Sequence, residues 1–113
     1  MSYRNPKPYI PSTKGEVVDY LASMILGAPK FKDKTGYFPD QDIDSEFHAL
    51  NEGLKALRKK LGEEAYQSAV ELSQQARSHF EADPEDKTDD GIKGRDCLMD
   101  IQDILKTAGR RKR

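Results

Sequence analysis

"FHALNEGLKALRKKL", residues 47–61, sets Phe47, Leu50, Leu54, Leu57 and Leu61 at successive steps of three, four, three and four. That spacing follows the turn of an α-helix and lines five apolar side chains along one stripe, whereas a half-buried strand would alternate at every second residue. Asp42 or Asp44 can cap the start of this helix and Gly62 can end it. A stripe of this kind is stable only when another apolar surface covers it, so the segment asks for helical neighbours.

The neighbours are legible on both sides. Thr13 and Glu16 match a capping box ahead of Val17, Val18, Leu21, Met24 and Ile25, which predicts a helix over 14–26 that stops at Gly27 and Pro29. After Gly62, the pair Glu63–Glu64 suits the positive end of a helix, and Tyr66, Ala69, Val70, Ser73, Ala76 and Phe80 form its stripe. Pro84 disfavours helical backbone at Asp83 and ends that helix. Cys97, Leu98, Ile101, Ile104 and Leu105 mark a last helix over about 92–107.

The expected fold is therefore all-α: a single-domain bundle of about four helices, with a long connection over 28–43 between the first two. Phe31 and Phe38 in that connection are expected to close the core. The domain organisation reads as a proline-containing arm over 1–13, the bundle over 14–107 and a basic tail over 108–113.

The chain has 113 residues, enough for one core without disulfides or metal. Its single cysteine, Cys97, excludes an internal disulfide framework and suits a reducing compartment, so a cytoplasmic protein is expected. No apolar run approaches the ~20 residues of a membrane span, and the start "MSYRNPKPYIPSTK" lacks the apolar stretch of a secretory signal, so the mature protein is expected to be the whole chain.

Charge is divided along the chain. All 20 acidic residues and 11 of the Lys and Arg lie in 16–105, which carries −9, while the ends carry +8. The acids crowd most closely in "HFEADPEDKTDDG", residues 79–91, and continue along the last helix. Asp83, Glu85, Asp86, Asp89, Asp90, Asp96, Asp100 and Asp103 are the candidate partner-binding residues. A solvated loop and helix caps account for several of them, Asp83 beside Pro84 and Asp89 or Asp90 at the helix start. Asp96, Asp100 and Asp103, by contrast, continue the charge beyond the helix start, although acid near a helix C-terminus works against the dipole, a placement that suggests the positive surface of a partner.

Catalytic motifs are missing: the chain holds no glycine-rich phosphate loop, paired cysteines, HExxH or GxSxG, and it is expected not to be an enzyme. His48 lies four residues from both Asp44 and Glu52, a spacing that suits charge pairing on an exposed helix face better than metal binding, and no metal or cofactor is expected. Cys97 reads as a small core side chain.

In layout, "FKDKTGYFP" at 31–39, "FHALNEGLKALRKKLGEEAY" at 47–66 and "FEADPEDKTDDGIKGRDCLMDIQDIL" at 80–105 resemble the small helical immunity proteins of bacterial contact-dependent growth inhibition systems and related toxin–antidote pairs. The resemblance implies a protein that binds the C-terminal toxic domain of a delivered effector, often a nuclease, and blocks it without catalysis. An acidic surface would speed encounter with such a cationic partner, and aromatic or apolar anchors would slow its release. Tyr37 and Tyr66 are the anchor candidates, with core packing the stronger reading for Tyr66. A second reading is a small helical regulator whose basic ends contact nucleic acid; the acidic body makes nucleic acid the less expected partner.

Overall fold

The computed structural model describes residues 10–28, 31 and 42–108. Most of the long connection, including Tyr37 and Phe38, lies outside the described residues, as do residues 1–9 of the arm and 109–113 of the tail. Among the described residues there are five helices and no strand: α1 (Lys14–Gly27), α2 (Ile43–Ala56), α3 (Arg58–Leu61), α4 (Glu63–Ala82) and α5 (Asp89–Thr107). None of them is long and apolar enough to cross a membrane.

Helix starts follow side-chain chemistry. The Thr13 hydroxyl accepts the Glu16 amide at 3.1 Å, and the Glu16 carboxylate reaches back to the Ser12 amide at 2.9 Å. Thr13 and Glu16 thus satisfy free amides at the helix start as expected, with the Glu16 carboxylate reaching one residue further back, to Ser12. Asp42 caps α2 through the Ser45 amide, and the Ser45 hydroxyl accepts from the Asp42 amide, both at 3.0 Å. Thr88, rather than Asp89 or Asp90, caps α5, which begins three residues earlier than its apolar stripe indicates.

The helix expected to run unbroken to Leu61 is divided at Leu57. There the backbone turns to φ −95° and ψ 2°, and the Leu57 amide is shared between the carbonyls of Gly53 at 3.2 Å and Leu54 at 3.1 Å. This tighter turn ends α2, and the single turn of α3 carries Leu61 into the core ahead of Gly62, whose φ of 91° suits glycine.

The stripes meet as their spacing requires. α4 packs against α5 and α2, and α1 packs against α5 and α2, so the four long helices form a closed ring around one core. Val17, Leu21, Met24, Phe47, Leu50, Leu54, Leu57, Phe80, Leu98, Ile101 and Leu105 are fully buried there. Phe31, buried as expected, stands edge-on to Phe47 and Phe80 with ring centroids 5.7 and 5.2 Å away. It does so from left-handed backbone, φ 59°, an unfavourable conformation for a bulky residue that burial of its ring offsets.

α1 runs antiparallel to α5 and is tied to it by three side chains. Lys14 donates to the Ala108 carbonyl at 2.7 Å, Gln102 to the Val18 carbonyl at 3.0 Å and Arg95 to the Ala28 carbonyl at 2.9 Å. The Ala28 and Ala108 carbonyls lie at helix C-caps, where no intrahelical amide reaches them, while Val18 lies within α1. The three bonds also fix which face of α5 turns outward.

Candidate functional site: the acidic turn and the outer face of α5

The acids of 79–91 are held by a connected set of bonds. Asp83 has only 3% of its surface exposed, and its carboxylate accepts the amides of Lys87 at 2.7 Å, Thr88 at 2.9 Å and Gly91 at 3.2 Å. Burial pushes its pKa up, but the Lys87, Thr88 and Gly91 hydrogen bonds outweigh it and hold the carboxyl below its ordinary range. Asp83 therefore staples the turn between α4 and α5 to the first turn of α5. It has no surface to offer a partner, and the side chain expected at an interface lies inside the fold.

Asp86 adopts φ 58°, which a short polar side chain tolerates, and both its oxygens lie 3.2 Å from the Arg95 guanidinium. Through Arg95 the turn is joined to the end of α1. Asp90, in the first turn of α5, pairs with His79 Nδ1 of α4 at 2.9 Å. Gly91 and Gly94 permit this closeness. A Cβ on Gly94 would stand 2.6 Å from Phe80 Cε1, and one on Gly91 would collide with the Asp86 carboxylate. The sequence reading passed over this pair of glycines, although their spacing of three along one helix face is the sign of a close helix approach.

Beyond the turn the acids behave differently. Asp89, Asp96, Asp100 and Asp103 are exposed, and among the described residues no ion pair or hydrogen bond engages their carboxylates. Asp96 and Asp103 lie on the side of α5 opposite Leu98, Ile101 and Leu105, with Asp89 and Asp100 flanking them. Lys93 and Lys106 are the exposed cations of the same helix. Glu85 is exposed in the turn. The structure thus separates the candidate residues into a bonded group of Asp83, Asp86 and Asp90, of which only Asp83 is buried, and an exposed group of Asp89, Asp96, Asp100 and Asp103 with no such bonds among the described residues.

The same outward face carries apolar side chains that the sequence reading left unassigned. Ile92 is 57% exposed and Met99 43% exposed. Their signal in the sequence is a spacing of seven, out of phase with the buried stripe.

The remaining candidates have local partners. His48 is exposed, while Asp44 pairs with Arg77 and Glu52 lies 3.2 Å from Lys55. Among the described residues no three His, Cys, Asp or Glu side chains stand together as a metal site would require. Tyr66 packs against the core with the Arg58 guanidinium 4.8 Å above its ring. Burial, and then the charges of Asp100 and Asp96, push the Cys97 thiol up, which disfavours the reactive thiolate. His79 lines a depression with Glu71, Gln74, Gln75 and Ser78, yet no hydrogen bond joins it to Ser78.

The geometry defines a single all-α domain with a tied acidic turn and an acidic outward helix face. Compared with models of protein families, with curated proteins and with solved structures, the chain matches none.

Proposed function

We propose that this protein acts by binding, as a cytoplasmic immunity protein that occupies the cationic surface of a toxin domain, a nuclease being the best fit. The observation that carries the reading is the set of four exposed carboxylates on α5, Asp89, Asp96, Asp100 and Asp103, with no internal partner among the described residues. A nuclease presents positive charge to phosphate, and an array of fixed carboxylates competes for that same field. The Arg95 and Asp83 bonds hold α5 rigidly, so the array is presented without an ordering cost at the moment of binding.

The test is co-expression with a cationic nuclease toxin domain, taken from the C-terminus of a large secreted effector where the neighbouring genes encode one. The wild-type protein should restore growth. Joint Asp89→Asn, Asp96→Asn, Asp100→Asn and Asp103→Asn substitution should abolish the rescue while leaving the circular dichroism spectrum helical. Rescue that survives these changes but is lost on charge reversal of Lys55, Arg58, Lys59 and Lys60 would assign the interface to the α2–α3 side instead.

A further inference from the structure

We infer that the outer face of α5 is a docking stripe for a basic amphipathic helix, with Ile92 and Met99 as its apolar anchors; this rests on the binding reading above and names the partner chemistry for it. Ile92, Asp96, Met99 and Asp103 follow one another by steps of four, three and four, so apolar and acidic side chains alternate along one line of the helix. At 1.5 Å per residue that line is roughly 16 Å long, about three turns of a helix lying alongside.

The exposure of Ile92 and Met99 contrasts with the rest of α5, whose other large apolar side chains are buried or half-buried. Leu26, 87% exposed, is a further exposed apolar side chain, near the end of α1. It lies between Ile25 and Ala28, whose carbonyls accept the Arg95 side chain at 3.4 and 2.9 Å, so its turn of α1 stands beside this part of α5.

Charge selects the occupant. Asp89 and Asp100 flank the stripe, and Asp96 and Asp103 interrupt it, against Lys93 and Lys106 at its borders. An apolar partner would leave four carboxylates desolvated without a counter-charge, and an acidic one would be repelled. A helix with leucines along one stripe and lysines or arginines beside it satisfies both halves of the surface. The acids would govern encounter and its salt dependence, and the two anchors the rate of release.

The test uses a fluorescein-labelled helical peptide of Leu and Lys, with the leucines at helical spacing, beside a scrambled peptide of identical composition. Fluorescence anisotropy near physiological salt should give wild-type protein a preference for the amphipathic peptide on the order of tenfold. Joint Ile92→Ser and Met99→Ser substitution, at positions already exposed, should remove that preference and leave binding of the scrambled peptide unchanged. Asp96→Asn with Asp103→Asn should weaken both peptides and flatten their salt dependence. Equal affinity for the two peptides, or a preference that survives loss of both anchors, overturns the docking stripe. The growth-rescue assay is independent of this outcome: rescue that depends on the α5 carboxylates without any peptide preference retains the immunity reading and removes only the anchors.

Discussion

The turn built on Asp83, Asp86 and Asp90 and the outer face of α5 are both rich in aspartate, yet their carboxylates stand in opposite situations. In the turn, Asp83 gathers three amides, Asp86 pairs with Arg95 and Asp90 with His79. On α5, four aspartates face outward with no such partner among the described residues. The difference teaches that local density of negative charge does not mark a binding surface. A carboxylate within reach of amides and guanidinium groups builds the fold, and one denied them stays solvated and charged. The turn orients α5, and α5 presents the face.

The comparison is tested hardest at the inward side of α5, where the turn and the core meet. Phe80 fills the space above Gly94, so Phe80→Ala should cost about 3–5 kcal/mol in urea unfolding and loosen the α4–α5 contact that the turn depends on. Leu54→Ala, in the centre of the fully buried α2 stripe, should cost about 2–5 kcal/mol without touching either acidic region. An unchanged midpoint for either variant would remove that side chain from the core.

Acid offers a milder probe of the turn. Because the folded-state pKa of Asp83 lies below its ordinary value of 3.8, its contribution is fully present above that value and is lost as pH falls through the lower, folded value. Asp83→Asn should therefore flatten the acid limb of the stability profile. An acid limb unaltered by the substitution would deny Asp83 its stapling role.

Glu46 supplies the smallest expected effect, with the opposite sign. Burial pushes its pKa up, against a hydrogen bond from the Tyr20 hydroxyl at 2.9 Å and with help from the Asp42 charge. A raised carboxyl favours the fold at low pH, and that advantage is lost as pH rises through the folded value. Near neutral pH, Glu46→Gln should then raise the urea midpoint slightly, provided Tyr20 keeps an acceptor. A lowered midpoint would mean that the charged form is needed there.

The helices were legible in the sequence because their apolar spacing and caps are local. The three-and-four spacing of 47–61, the Thr13 cap and the stop at Pro84 all act within a few residues. The break at Leu57 was not legible, since a shared amide bond leaves the apolar stripe intact. The division of the acids was hidden for a different reason: their partners are set by tertiary packing. Asp86 meets Arg95 nine residues on, and Asp90 meets His79 across the α4–α5 contact. Sequence density flagged both acidic groups equally. The outward pair Ile92 and Met99 could have been found by asking which apolar residues fall out of phase with the core stripe.

The most direct measurement of this division of roles is urea unfolding at neutral pH of two variants side by side. One carries Asp83→Asn, and the other carries Asp96→Asn, Asp100→Asn and Asp103→Asn together. The account predicts a clear fall in midpoint for the first, with an unchanged slope, and no fall for the second despite three substitutions to its one. Equal losses in both, or a loss confined to the α5 variant, would contradict it, because the outward aspartates would then be holding the fold.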